Sequence, residues 1–205
     1  MTDLLTRFPH IAIEGPIGAG KSTLARRLAS HLGAELPLER ADENPFLGRF
    51  YDDPQGYAFQ AQLFFLFQRV RQMQQLAQPG MFSRGVVSDF MFAKDALFAR
   101  MNLDDEEYRL YAQIHAQTAR ELAQPDLVIW LQARPQTLLQ RIARRGIAIE
   151  QGIPADYLRR LCEAYAEHFE HTQPKALFVV ASDDFHPAGN EEHFALLRYN
   201  MGPAD

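Results

Sequence analysis

Eight consecutive residues carry the strongest chemical signal in this sequence: Gly15-Pro16-Ile17-Gly18-Ala19-Gly20-Lys21-Ser22, followed by Thr23. Their spacing is G-x-x-x-x-G-K-[ST]. Glycines there let successive backbone N–H groups turn inward around an anion, where a side chain would block the approach. Lys21 is long enough to reach the β- and γ-phosphates of a nucleotide, and the Ser22 hydroxyl can ligate Mg²⁺. A helix starting at Lys21 aims its positive end at the same phosphates. The implied ligand is a nucleoside triphosphate. A guanine-reading Asn-Lys-x-Asp does not occur, and 205 residues are too few for a large mechanical ATPase. Kinases of small molecules remain, in which a second substrate faces the γ-phosphate and the protein supplies a base and compensating charge.

Such a loop works only between a buried strand and a helix, and both are predicted. His10-Ile11-Ala12-Ile13-Glu14 is short, β-branched and nearly all apolar, while Lys21 to Leu32 repeats apolar residues at helical spacing (Leu24, Ala25, Leu28, Leu32) up to Gly33. Glu35 to Glu39 reads as a second strand, running into a loop with Asn44-Pro45 and Asp53-Pro54. A long helix is expected from Gln55 to Gln78, a third strand over Gly85 to Asp89, and helices through Arg100 and from Leu103 to about Ala123. Asp126 to Leu131 is a fourth strand, and Pro135 opens a helix that Gly146 breaks. Pro154 to about His171 is helical, and Ala176 to Ala181 is the last strand; Ser182 to Asp205 is polar and weakly patterned. Strands alternating with helices predict one three-layer α/β domain, with a parallel sheet of about five strands spanning residues 1–205.

Composition narrows the setting. Hydrophobic residues make up 47% and charged residues 23%, the balance of a globular chain. The longest apolar stretches, Leu127 to Leu131 and Leu177 to Ala181, fall far short of the ~18 residues a membrane span needs. The N-terminus lacks a basic start followed by a sustained apolar run, so no secretory signal is expected. Cys162 is the one cysteine, and no Cys/His cluster has zinc-like spacing, which points to a reducing cytoplasm. A net charge of −5 argues against a nucleic-acid polymer as partner, since such binding neutralises phosphates with Lys and Arg.

Beyond the loop, an ordered set of residues stands out: Glu39 before Asn44-Pro45, Gln62 and Arg69 seven apart on one helix face, Ser88-Asp89 with Asp95, and Arg141 to Ile153 with Arg145-Gly146 and Glu150-Gln151-Gly152-Ile153. With these, the sequence resembles the deoxynucleoside kinase family, specifically its bacterial deoxyadenosine/deoxyguanosine kinase branch, over about His10 to Ala181. The resemblance implies a P-loop kinase fold with an arginine-bearing lid at about 141–153, and ATP and Mg²⁺ as donor and cofactor. It implies Glu39 as the base that takes the 5′-hydroxyl proton. Gln62 would pair with the nucleobase edge and the Arg69/Asp95 pair would read the rest. Tyr51 and Glu150 would hold the sugar 3′-hydroxyl. Ser22 and Asp89 would sit at the metal, and Lys21, Arg141 and Arg145 at the transferring phosphoryl group, with Arg144 an additional cation beside the nucleotide. The acceptor implied is a deoxynucleoside, a purine being favoured, and the assembly a homodimer packed through the helices at Gln55–Gln78 and Glu106–Ala123. The aromatics Phe46, Phe59, Phe65, Phe67 and Phe92 belong mainly to the core, with one or two expected in the pocket.

Three departures matter. Arg40 stands where the family has a proline after the base, and Ile147 where it usually has a further arginine. Asp89-Phe90-Met91 replaces an acid-Arg-Ser run, so position 90 lacks an arginine expected near the phosphates, with Arg40 and Arg84 as candidates for the gap. Two other readings stay open: a nucleoside monophosphate kinase, and a nucleotide-binding protein with little catalysis.

Overall fold

Four strands, β1 (His10–Glu14), β2 (Val86–Ser88), β3 (Leu127–Gln132) and β4 (Leu177–Ala181), form one parallel sheet in the order β2-β1-β3-β4. The computed structural model describes residues 4–76, 84–119, 122–172 and 174–202. Its helices are α1 (Leu4–Arg7), α2 (Lys21–Leu32), α3 (Leu47–Asp52), α4 (Pro54–Leu76), α5 (Lys94–Asn102), α6 (Asp105–Ala119), α7 (Pro135–Arg145), α8 (Ala155–His171) and α9 (Glu191–Met201). β1 and β3 are buried at nearly every position, the pattern of strands covered on both faces. The chain leaves β1 for β2 on one side and later enters β3 on the other. The carboxyl end of β1 is therefore a topological switch point, where ligands of open α/β sheets bind.

The strand count is four among the described residues, not about five, and Pro37 supplies the reason. Glu35 makes one parallel bridge to Val86: its N–H donates to Gly85 O at 2.9 Å, and Val87 N–H donates to Glu35 O at 2.9 Å. The next ladder donor would be residue 37, and proline has none. The segment keeps its direction, and the following donor, Glu39 N–H, goes to the Asp89 side chain at 2.7 Å. What the pattern predicts as a strand is thus an extended guide that delivers Glu39 to the end of β2.

Two further expectations change. The tail after Ser182 holds a helix, α9, capped by Asn190, whose side chain accepts from His193 N–H at 2.9 Å, and buried through Phe194, Leu197 and Met201. The stretch before the long helix holds α3. Helix ends otherwise fall within a few residues of expectation. α6 starts at Asp105 because Asp104 Oδ1 accepts from the N–H groups of Glu106 (2.9 Å) and Glu107 (2.8 Å). Gln78, the expected end of the long helix, lies outside the described residues.

Side chains pack into two apolar clusters. One surrounds the sheet with α2, α7, α8 and α9; the other joins α3, α4, α5 and α6 through Leu47, Phe50, Leu66, Phe92 and Tyr111. Tyr51 and Tyr157 pack against both. The principal cavity lies at this junction.

Candidate active site

The loop after β1 has the conformation its glycines predict. Gly15 has φ +144° and Gly18 φ +84°, in the region that side chains disfavour, and a Cβ on Gly15 would lie 2.5 Å from the Leu131 carbonyl oxygen. Gly15, Pro16 and Ala19 are buried in the turn, Ile17, Gly18 and Gly20 are partly exposed, and Thr23 faces solvent. Gly20 caps α2 without a side-chain hydrogen bond, which leaves the first-turn N–H groups for an anion. Lys21 Nζ donates to Gly15 O (2.8 Å) and Pro16 O (3.1 Å). Burial, reinforced by the charge of Lys94, pulls the Lys21 ammonium down to about 8.

A cavity of about 400 Å³ opens beside this loop. Of the residues singled out in the sequence, Ile17, Gly18, Lys21, Ser22, Glu39, Tyr51, Gln62, Arg69, Asp89, Arg145 and Glu150 line it. Segments far apart in the chain meet here, and polar contacts tie them together. Ser22 Oγ donates to Asp89 Oδ2, while Asp89 Oδ1 holds the Glu39 N–H. Glu39 Oε1 accepts from Arg69 Nη2, and Oε2 accepts from Lys94 Nζ at 2.7 Å. The second arm of Arg69, Nη1, donates to Asp95 Oδ1. Asp95 is fully buried behind Arg69 and does not line the cavity. Burial alone would raise the Glu39 carboxyl, but the charges of Lys94 and Arg69 outweigh it and hold the group well below the usual carboxylate range. Glu39 is thus an ionised acceptor at the wall of the cavity.

The opposite wall is mixed. Gln62 is buried on α4 and presents an amide. Asn44 fixes the approach to α4: its Nδ2 donates to Ala61 O at 3.1 Å, and its Oδ1 accepts from Phe46 N–H at 3.0 Å. Among the candidate aromatics, Phe65 lines the cavity and Phe92 is core; Phe67 is 51% exposed, not core. Burial raises the Tyr51 hydroxyl, and that of Tyr157 reaches about 12, so both are neutral hydrogen-bonding groups.

The arginines of the expected lid divide. Arg145 pairs with Glu150 at the cavity mouth. Arg141 lies outside the cavity lining and clasps the loop after β4, with Nη2 on Ser182 O (2.5 Å) and His186 Nδ1 (2.8 Å) and Nη1 on Ser182 Oγ (3.1 Å). Arg144 is exposed and also outside the lining. Ile147 and Ile149 add apolar surface to the mouth.

Three contributors were not among the sequence candidates. Glu14, fully buried, accepts from Gly15 N–H (3.2 Å), Met91 N–H (2.8 Å) and Tyr165 Oη (2.9 Å), locking the loop to the segment after β2. Its sign in the sequence is a carboxylate closing an otherwise apolar strand. Lys94 is marked by a cation at the first position of a helix, where the dipole opposes it. Tyr157 has no comparable mark. As for the gap at position 90, Arg40 pairs with Glu43 on the surface, Arg84 lies by the Gly33 cap, and neither lines the cavity.

The donors also fit a hard cation. Ser22 Oγ and Asp89 Oδ2 meet at the phosphate loop, and one carboxylate with a hydroxyl is the sparse oxygen set by which Mg²⁺ is held alongside substrate phosphates.

The family model for deoxynucleoside kinases matches residues 11–196. The chain belongs to the deoxynucleoside kinase family. It is 36% identical over 181 residues to the deoxyguanosine kinase of Bacillus subtilis (strain 168), covering 86% of this chain and 87% of that one. It is 33% identical over 187 residues to a deoxyadenosine kinase of Lactobacillus acidophilus, covering 84% and 85%. Among solved structures, deoxyadenosine kinase from M. mycoides with bound dATP superposes with a TM-score of 0.80 at 27% identity, over 93% of this chain and 97% of that one. The fold is accordingly that of the P-loop kinases, and the chain is a deoxynucleoside kinase.

Proposed function

We propose that this kinase uses ATP and Mg²⁺ to phosphorylate the 5′-hydroxyl of a purine deoxynucleoside, deoxyadenosine or deoxyguanosine. The observation that carries this reading is the position of Glu39: its backbone N–H is held by Asp89, which also holds Ser22 of the phosphate loop, while its ionised carboxylate lines the cavity and accepts from Arg69 on α4. The backbone from Gly15 to Thr23 cradles the donor's phosphates, Lys21 leaves its carbonyl partners for the β- and γ-phosphates, and Ser22 and Asp89 hold Mg²⁺, which neutralises phosphate charge. Glu39 takes the 5′-hydroxyl proton as that oxygen bonds to the γ-phosphorus. The bond from phosphorus to the bridging oxygen breaks, and ADP leaves with its electron pair.

Gln62, Arg69 and Asp95 recognise the base, the aspartate acting through the arginine it holds. Tyr51 and Glu150 bind the 3′-hydroxyl. Residues 141–153 act as the lid, in which Arg145 reaches the transferring phosphoryl group and Arg141 and Arg144 face the donor nucleotide after reorienting. The purine preference draws support from relatives named deoxyguanosine and deoxyadenosine kinase. A nucleoside rather than its monophosphate is favoured because Arg40 is engaged by Glu43 and Arg49 lies over the Tyr57 ring, so neither is offered to an acceptor phosphate.

The reading extends to a homodimer through α4 and α6, where Phe67 and Leu110 are each 51% exposed, and to a cytoplasmic setting that suits a lone, partly buried Cys162. No helix among the described residues is long and apolar enough to cross a membrane. Turnover with MgATP against deoxyadenosine, deoxyguanosine, deoxycytidine, thymidine and dAMP tests the assignment. Preferred turnover of the two purine deoxynucleosides is expected; dAMP as the preferred acceptor would overturn it.

A further inference from the structure

Phe90, at the position where an arginine is expected, is completely buried, so nothing at that position reaches the cavity. The cavity nonetheless receives a cation from four residues further on. Lys94 opens α5, is 5% exposed, lines the cavity, and sets its Nζ 2.7 Å from Glu39 Oε2. This is an unfavourable place for a lysine, since it faces both the positive end of a helix and the cost of burying a charge. Such a placement is stable only with a close anionic partner, and Glu39 is that partner. The two Glu39 oxygens are divided between cations on different helices, Oε1 to Arg69 on α4 and Oε2 to Lys94 on α5. Arg69 is shared with Asp95, so its charge is already partly offset. Lys94 lines the cavity together with Glu39, within the electrostatic reach of Lys21, and an ammonium has three N–H donors of which Glu39 takes one.

We infer that Lys94 is a positioning residue of the transfer reaction: through Oε2 it aims the Glu39 carboxylate, and it supplies to the cavity the positive charge that position 90 lacks. The inference rests on the reading of Glu39 as the base. A merely structural lysine would lower stability and leave the chemistry of the folded fraction alone; a positioning lysine lowers kcat through Glu39.

The test compares the parent with Lys94→Met, Lys94→Arg, Glu39→Gln and the double variant Glu39→Gln/Lys94→Met. It records kcat and KM for deoxyadenosine and deoxyguanosine with MgATP, and the thermal midpoint of each protein. The expected result is a kcat about 10- to 1,000-fold lower in Lys94→Met, with the nucleoside KM within about threefold of the parent. Lys94→Arg recovers at least about tenfold of that loss. In the Glu39→Gln background, Lys94→Met costs less than about twofold more, because two residues acting as one unit are non-additive. Should Lys94→Met fail to fold, Lys94→Gln takes its place. Turnover of folded Lys94→Met within about twofold of the parent, or losses that multiply in the double variant, would overturn the inference while Glu39→Gln stays inactive. Full turnover by Glu39→Gln would instead overturn the reading of the base, and the role of Lys94 with it.

Discussion

Asp89 Oδ1 accepts the backbone N–H of Glu39 at 2.7 Å, across 50 residues of sequence. Its other oxygen accepts from Ser22, so one carboxylate sets the distance between the first turn of α2 and the backbone that carries the Glu39 side chain. Asp89→Asn keeps an oxygen for the Glu39 N–H and loses the charge that a divalent cation needs. The expected outcome is a half-saturating Mg²⁺ concentration raised about tenfold or more, with the thermal midpoint nearly unchanged. A Mg²⁺ titration of the rate checks it, and chelation with EDTA abolishes turnover in both proteins.

Asp95 lies fully buried behind Arg69, whose side chain is 4% exposed. Asp95→Asn removes one of the two carboxylates that balance this guanidinium. Breaking a buried pair from one side costs about 3 kcal/mol. Urea unfolding is expected to show a loss of that order. On the proposed role of Arg69 in reading the base, the nucleoside KM is expected to rise while the ATP KM stays put.

Gly15 turns the chain at φ +144°, and a Cβ there would press to 2.5 Å against the Leu131 carbonyl oxygen. The neighbour is backbone and cannot swing away. Gly15→Ala is therefore expected to cost roughly 2 kcal/mol or more in stability and to weaken nucleotide binding, since the loop amides move together. Calorimetric titration with ATP, alongside thermal melting, measures both effects.

His10 adds a pH dependence unrelated to catalysis. Burial is the largest influence and draws its imidazole down from 6.5 to about 4, against the pull of Asp126. Its Nε2 lies 3.0 Å from Ser88 Oγ, and the Ser88 hydroxyl already donates to Phe90 O at 2.8 Å, so neutral His10 is the donor with its proton on Nε2. The unfolded chain binds a proton that the folded chain excludes. Stability is therefore full above about pH 6.5, falls as pH drops through the window from 6.5 to 4, and is lower by roughly 3 kcal/mol below it. His10→Gln keeps the donor and cannot titrate. Its melting temperature, compared with the parent between pH 8 and pH 5, should show a shallower decline.

The features legible in the sequence are those set by local physics. The glycine spacing of the phosphate loop, the apolar β-branched runs of the strands and the seven-residue spacing of Gln62 and Arg69 report backbone geometry directly. Glu35 to Glu39 misleads because side-chain pattern and hydrogen-bonding capacity disagree there: Leu36 and Leu38 alternate like a strand, while Pro37 cannot donate to it. The tail helix is masked by the polar composition around it, although Phe194, Leu197 and Met201 follow helical spacing behind the Asn190 cap. Within the site, residues named one at a time come together, but the partnership of Glu39 with Lys94 joins residues 55 apart and depends on how the start of α5 meets the end of β2. Arg141 shows the converse: a lid arginine by position, it grips Ser182 and His186 through contacts that spacing does not encode.

The most direct measurement is steady-state phosphorylation of deoxyadenosine and deoxyguanosine at saturating MgATP by Glu39→Gln beside the parent. Glutamine keeps the shape and a partner for Arg69 but cannot take a proton. With Glu39 as the base, the expected outcome is active parent enzyme and a kcat about 100- to 10,000-fold lower in the variant, with nucleoside binding largely retained. A variant that turns over within about threefold of the parent would contradict it.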